Sequence, residues 1–172
     1  MQHLSEVKDF DIPADGIRVL GKPEEVLTDG RQIPLSQDAA LVVALVGTAI
    51  PFAHSAEDEA ERWLRAMRLH GQVGSTLQAL GVGEAPLMTG GEQDHPEGHG
   101  TPPLGPEVLE KVTDRAAEFA TGRGAENVGT TDILFAVFEV YGKLFDRVLY
   151  LRGTSRDELV ERLTEAAASR QH

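Results

Sequence analysis

Residues 128–163, VGTTDILFAVFEVYGKLFDRVLYLRGTSRDELVERL, spell out three short helices with a start or stop signal at every junction. The Thr130-Thr131-Asp132 opening offers side-chain oxygens to the free amides of a first helical turn. Ile133, Leu134, Val137, Phe138 and Tyr141 then recur at helical spacing until Gly142 interrupts them. A second helix carries Leu144, Phe145, Val148, Leu149 and Leu151 and stops at Gly153, a residue free to take the left-handed conformation that closes a helix. Ser155 and Glu158 have capping-box spacing and open a third helix, with Leu159, Val160 and Leu163 on its apolar stripe.

Upstream, the helix from Pro106 to about Phe119 places Val108, Leu109, Val112, Ala116 and Phe119 on one stripe. The earlier half repeats the plan. Ser36 caps a helix in which Ala39 through Val46 is apolar on every side, which predicts a central position. Ser55 with Asp58 caps another, sending Ala60, Trp63, Leu64 and Met67 inward, and Gly71 breaks it. A short helix with Val73, Leu77 and Leu80 then stops at Gly81. Leu77-Gln78-Ala79-Leu80-Gly81 and Leu149-Tyr150-Leu151-Arg152-Gly153 lie 72 positions apart (149 − 77), the mark of a degenerate duplication. The stretch MTGGEQDHPEGHGTPPLGP, residues 88–106, is too rich in Gly and Pro for a helix and reads as a flexible linker. At the other end, Ile17–Leu20 and Gln32–Leu35 read as short strands around an Asp29-Gly30 turn.

The order of a Gly-Thr-x-x-Ile-Leu start at Gly129, Thr130, Thr131, Asp132, Ile133 and Leu134, an apolar helix, a short helix ending in Gly and a last helix resembles the repeat of the Clp N-terminal domain, the substrate-receiving module of AAA+ unfoldases. The resemblance implies an all-α fold of two pseudo-symmetric Clp-type helical repeats. The expected organisation is an N-terminal β-hairpin appendage over 1–35, a degenerate first repeat over 36–87, a flexible linker over 88–105 and a second repeat over 106–168. It also implies a non-catalytic protein that binds peptides, Clp chaperones or adaptors, or small molecules and macrocycles aimed at the unfoldase domain, as a decoy or as an adaptor in the regulation of proteolysis. The family's Gly-Thr-Glu-His carboxylate helps hold the guanidinium of phosphoarginine. Here that position carries Thr131, with Asp132 beside it, and the matching place in the first half falls on Asp58 or Glu59.

Composition narrows the alternatives. A net charge of −12 opposes phosphate binding and favours cationic ligands, as well as keeping a protein soluble. The absence of cysteine removes thiolate metal sites and cysteine nucleophiles, and the first residues, MQHLSEVKDFD, lack the order of a secretory signal, so a cytoplasmic location is expected. Phosphate-binding loops, Gly-x-Ser-x-Gly and dinucleotide fingerprints are missing, so neither catalysis nor a cofactor is expected. His95 and His99 have metal-ligand spacing but sit among Pro96 and Gly98, without a rigid frame.

The candidate ligand residues are therefore Asp58, Glu59, Thr131, Asp132 and Phe135, the last because it lies off the apolar stripe of its helix. The helix dipole also favours Asp58, Glu59 and Asp132 where they stand, whatever their function. A different class of function comes from VLTDGRQIPLSQDAALVVALV, residues 26–46, which is similar to the hairpin-then-helix opening of winged-helix regulators. That reading implies DNA binding through the stripe Arg62, Arg65 and Arg68.

Overall fold

Ser36 and Ser55 do what their positions predict. The Ser36 hydroxyl accepts from the Ala39 amide at 3.1 Å, and that of Ser55 from the Asp58 amide at 3.1 Å, so two helices start where a short polar side chain replaces a missing backbone acceptor. The computed structural model describes residues 33–82 and 101–170, all within one compact unit, Ile33–His172. The described residues form α1 (Gln37–Ala49), a 3-10 turn (Ile50–Phe52), α2 (Ala56–Arg68), α3 (Gly71–Ala79), α4 (Glu107–Gly122), α5 (Thr130–Tyr141), α6 (Lys143–Leu151) and α7 (Arg156–Arg170). Among the described residues there is no strand, only one parallel bridge between Leu35 and Val128, so the all-α expectation holds for them. The first strand and turn of the expected hairpin and the His95/His99 pair lie outside the described residues, and of its second strand, Gln32–Leu35, the described part makes only the Leu35 bridge to Val128. No described helix is long and apolar enough to cross a membrane.

The two nine-residue helices, α3 and α6, end identically. Gly81 and Gly153 both have positive φ, 81° and 87°. At one end the Val82 amide reaches back to the Leu77 carbonyl at 2.9 Å, and at the other the Thr154 amide reaches the Leu149 carbonyl at 3.1 Å. Leu77 and Leu149 are both fully buried. This is the Schellman closure, which satisfies otherwise orphaned carbonyls.

Packing between the halves is reciprocal: α2 lies against α6, and α5 lies against α3. The approaches to the helices are exchanged in the same way. The Ser36 amide, just before α1, donates to the Val128 carbonyl just before α5, while the Ala56 amide at the start of α2 donates to the Thr101 carbonyl on the way to α4. One continuous core results, with Trp63, Met67, Leu77, Ile133, Leu134, Phe145 and Leu149 all at its centre. Each of these side chains contributes roughly 2 kcal/mol by leaving water.

Two sequence expectations change in detail. Helix α1 buries Ala39, Val42 and Val46, but Leu41 and Leu45 stay 42% and 43% exposed, so its apolar character does not make it central. The end of the linker is anchored: Leu104 and Gly105 donate their amides to Glu59, because a buried carboxylate needs donors and the chain supplies them there.

Candidate functional site

Both candidate carboxylate clusters sit at helix starts, so their register follows from the N-caps, Ser55 for α2 and Gly129 for α5. Counting from each cap, Thr131 matches Glu57, Asp132 matches Asp58, and the core residue Ile133 matches Glu59. This register explains why Glu59 has no solvent exposure at all. A carboxylate at a core position must be fully hydrogen-bonded. The amides of Leu104 and Gly105 reach its two oxygens at 3.1 and 2.9 Å, and the Tyr141 hydroxyl donates at 3.0 Å. The Trp63 indole in turn donates to the Tyr141 oxygen at 3.0 Å, which joins α2, α5 and the end of the linker into one buried chain of hydrogen bonds.

Burial, reinforced by the nearby Glu59 charge, pushes the Tyr141 hydroxyl well above the ordinary phenol value of 10.0. Above that value the unfolded chain gives up this proton while the folded chain keeps it, so stability falls as pH rises. Tyr141 is expected to contribute about 1.4 kcal/mol of loss per pH unit above pH 10. Denaturant titrations at several alkaline pH values should show this slope reduced in Tyr141→Phe. An unchanged slope would mean that the hydroxyl is not held neutral in the fold.

Asp132 is almost completely buried and serves two donors. Its carboxylate accepts the Gly129 amide at 2.8 Å, closing the helix start, and takes the Arg123 guanidinium in a two-pronged grip through Nε, at 3.0 Å, and Nη2. This contact raises the Arg123 pKa further. Asp58 is also engaged, with the His54 amide at 3.1 Å and Arg62 at 3.2 Å. The same Arg62 donates to the Phe52 carbonyl at 3.4 Å, so one member of the arginine stripe is folded back on its own helix start.

Glu57, on the side of α2 expected from the sequence to face water, is half-buried instead. It occupies the place that matches Thr131, and its Oε2 is buried with no hydrogen-bond partner among the described residues. Counting from the Ser55 cap, rather than along the apolar stripe, is the signal that finds it. Thr131 itself is half-buried, next to Thr130, whose hydroxyl accepts the Val73 amide of α3 at 3.5 Å.

Phe135 is half-buried and stands in an aromatic row. Its ring centroid is 6.1 Å from that of Phe119 and 5.9 Å from that of Phe138, which continues to Phe145 at 5.6 Å. Arg115 covers Phe119 at 4.4 Å and Arg156 covers Phe138 at 4.5 Å, so a guanidinium lies over each of these faces. Phe135 thus packs within the second half. A groove of about 480 Å³ opens between α6 and the first turn of α7, lined by Asp146, Arg147, Tyr150, Thr154, Arg156 and Asp157. Among the described residues no three His, Asp or Glu side chains are grouped to hold a metal ion.

Comparison with protein-family models gave no match for this chain, and a search of curated proteins found no similar sequence.

Proposed function

We propose that this chain is a non-catalytic binding module built from two Clp-type helical repeats, the first degenerate, which engages a Clp unfoldase, its adaptor or a peptide as a decoy or as an adaptor. The observation that carries this reading is the reciprocal construction of the halves. Two helices of equal length close with the same hydrogen bonds 72 positions apart, and each packs on the helix that precedes its counterpart. In this reading α1, α2 and α3 correspond to α4, α5 and α6. Affinity capture from native cytosol tests the proposal: enrichment of an AAA+ unfoldase or its adaptors supports it, and their absence from a capture that retains other partners opposes it.

Phosphoarginine reading is not part of the proposed role. Thr131 supplies a hydroxyl that cannot neutralise a guanidinium, and the neighbouring Asp132 already holds that of Arg123. Calorimetric titration with free phosphoarginine is therefore expected to show no saturable binding at about millimolar concentration, the range where specific contacts would already exceed roughly 4 kcal/mol. Micromolar saturation lost in Asp132→Ala would reverse this.

A further inference from the structure

Helix α6 turns Lys143, Arg147, Tyr150 and Leu151 to solvent, at the i, i+4, i+7 and i+8 positions that form one helical face. Tyr150 is 77% and Leu151 65% exposed, so neither is needed to fill the core. Lys143 and Arg147 form no ion pair with a described residue. The only carboxylate on α6, Asp146, is already bound to Arg156 at 2.8 Å, and the other lining carboxylate, the exposed Asp157, stands on α7 across the groove. The groove beside α7 borders this face, with Arg147 and Tyr150 belonging to both. An aromatic ring and a leucine left in water beside a groove and two unpaired cations make a surface with both an apolar and an electrostatic demand.

We propose that the exposed α6 face, on the side away from Asp157, docks an acidic peptide segment bearing an aromatic or aliphatic anchor residue. Charge selects this occupant. Lys143 and Arg147 repel a cationic peptide, even though the chain as a whole, at −12, attracts one. A second copy of this chain would set the same two cations against each other across a two-fold interface. A large acidic domain would be repelled by the rest of the surface, which leaves a short acidic segment that touches α6 alone. The anchor would sit against Tyr150 and Leu151, and its flanking carboxylates would meet Arg147 and Lys143.

This inference requires the chain to be a binding module but does not require the Clp-type reading, so its test uses a defined peptide. Fluorescence anisotropy of the intact chain is measured with a short labelled peptide that carries glutamates on both sides of a Phe-Leu pair. Saturable binding with a dissociation constant on the order of 10 µM is expected. The constant should rise at least about tenfold in Arg147→Glu and in Tyr150→Ala, both exposed, and rise with salt. Leu41→Ser, on the exposed side of α1, serves as a control and should bind as the unaltered chain does. Equal binding by all variants, tighter binding of a lysine-substituted peptide, or no saturation would each overturn the proposal. So would self-association abolished by Tyr150→Ala, which would make a second copy the occupant. A failed titration here leaves the capture of an unfoldase unaffected.

Discussion

Replacing Glu59 with alanine is expected to lower the unfolding free energy by about 3 kcal/mol, which at this chain length is a melting-temperature loss of roughly 10 °C. The effect is large because the side chain is fully buried and serves three donors, the amides of Leu104 and Gly105 and the hydroxyl of Tyr141. Removing it leaves all three without an acceptor, the Tyr141 hydroxyl in a buried place and the two amides in a part-buried one, and an orphaned buried group costs on the order of 1 kcal/mol or more. Glu59→Gln, with a single acceptor oxygen, should fall between. Trp63 is the only tryptophan and is linked to Glu59 through the Tyr141 hydroxyl, so its fluorescence reports the same event. A loss under about 1 kcal/mol would mean that the linker end is not anchored there.

Gly71→Ala is the second large effect, expected at about 3 kcal/mol. Two costs combine at this position. Gly71 has φ +68°, a conformation that costs a side-chain-bearing residue about 1–2 kcal/mol. A β-carbon there would also lie 2.6 Å from the Thr130 hydroxyl oxygen and 2.7 Å from its methyl group. Gly153 separates the two costs, because its φ is +87° and nothing lies within 4 Å of the same added atom. Gly153→Ala should therefore cost only about 1 kcal/mol. Combining Gly71→Ala with Thr130→Ala should cost less than the sum of the single changes, since the clash is relieved. Equal losses for the two glycine variants, measured by denaturant unfolding, would show that the start of α3 does not press on the start of α5.

The helices of the second half were legible from the sequence because their signals are local. Asp132 at the third position of α5, Gly142, Gly153 and Ser155 each act within one turn of where they stand. Even there one detail moved: Glu158 accepts from Thr154 at 3.3 Å, so only the Ser155 side of the capping box forms as expected. The first-half site was less legible, because the apolar pattern of α2 begins with a carboxylate. Glu59 lies one turn before Trp63 on the buried stripe, but nothing local to α2 names residues 104 and 105 as its donors. Those donors lie 45 and 46 residues away in the chain, a distance that no periodicity spans. The Arg123 grip on Asp132 was equally hidden, since it joins the end of α4 to the start of α5 across a turn. The exposure of Leu41 and Leu45 depends on which elements surround α1, and an apolar run does not state this.

A side-by-side titration of the purified chain with a Clp unfoldase and with duplex DNA tests the central claim most directly. The proposed module predicts saturable binding to the unfoldase and no electrophoretic shift of the DNA. A shift of the DNA at low micromolar concentration, with no detectable association with the unfoldase, would contradict it.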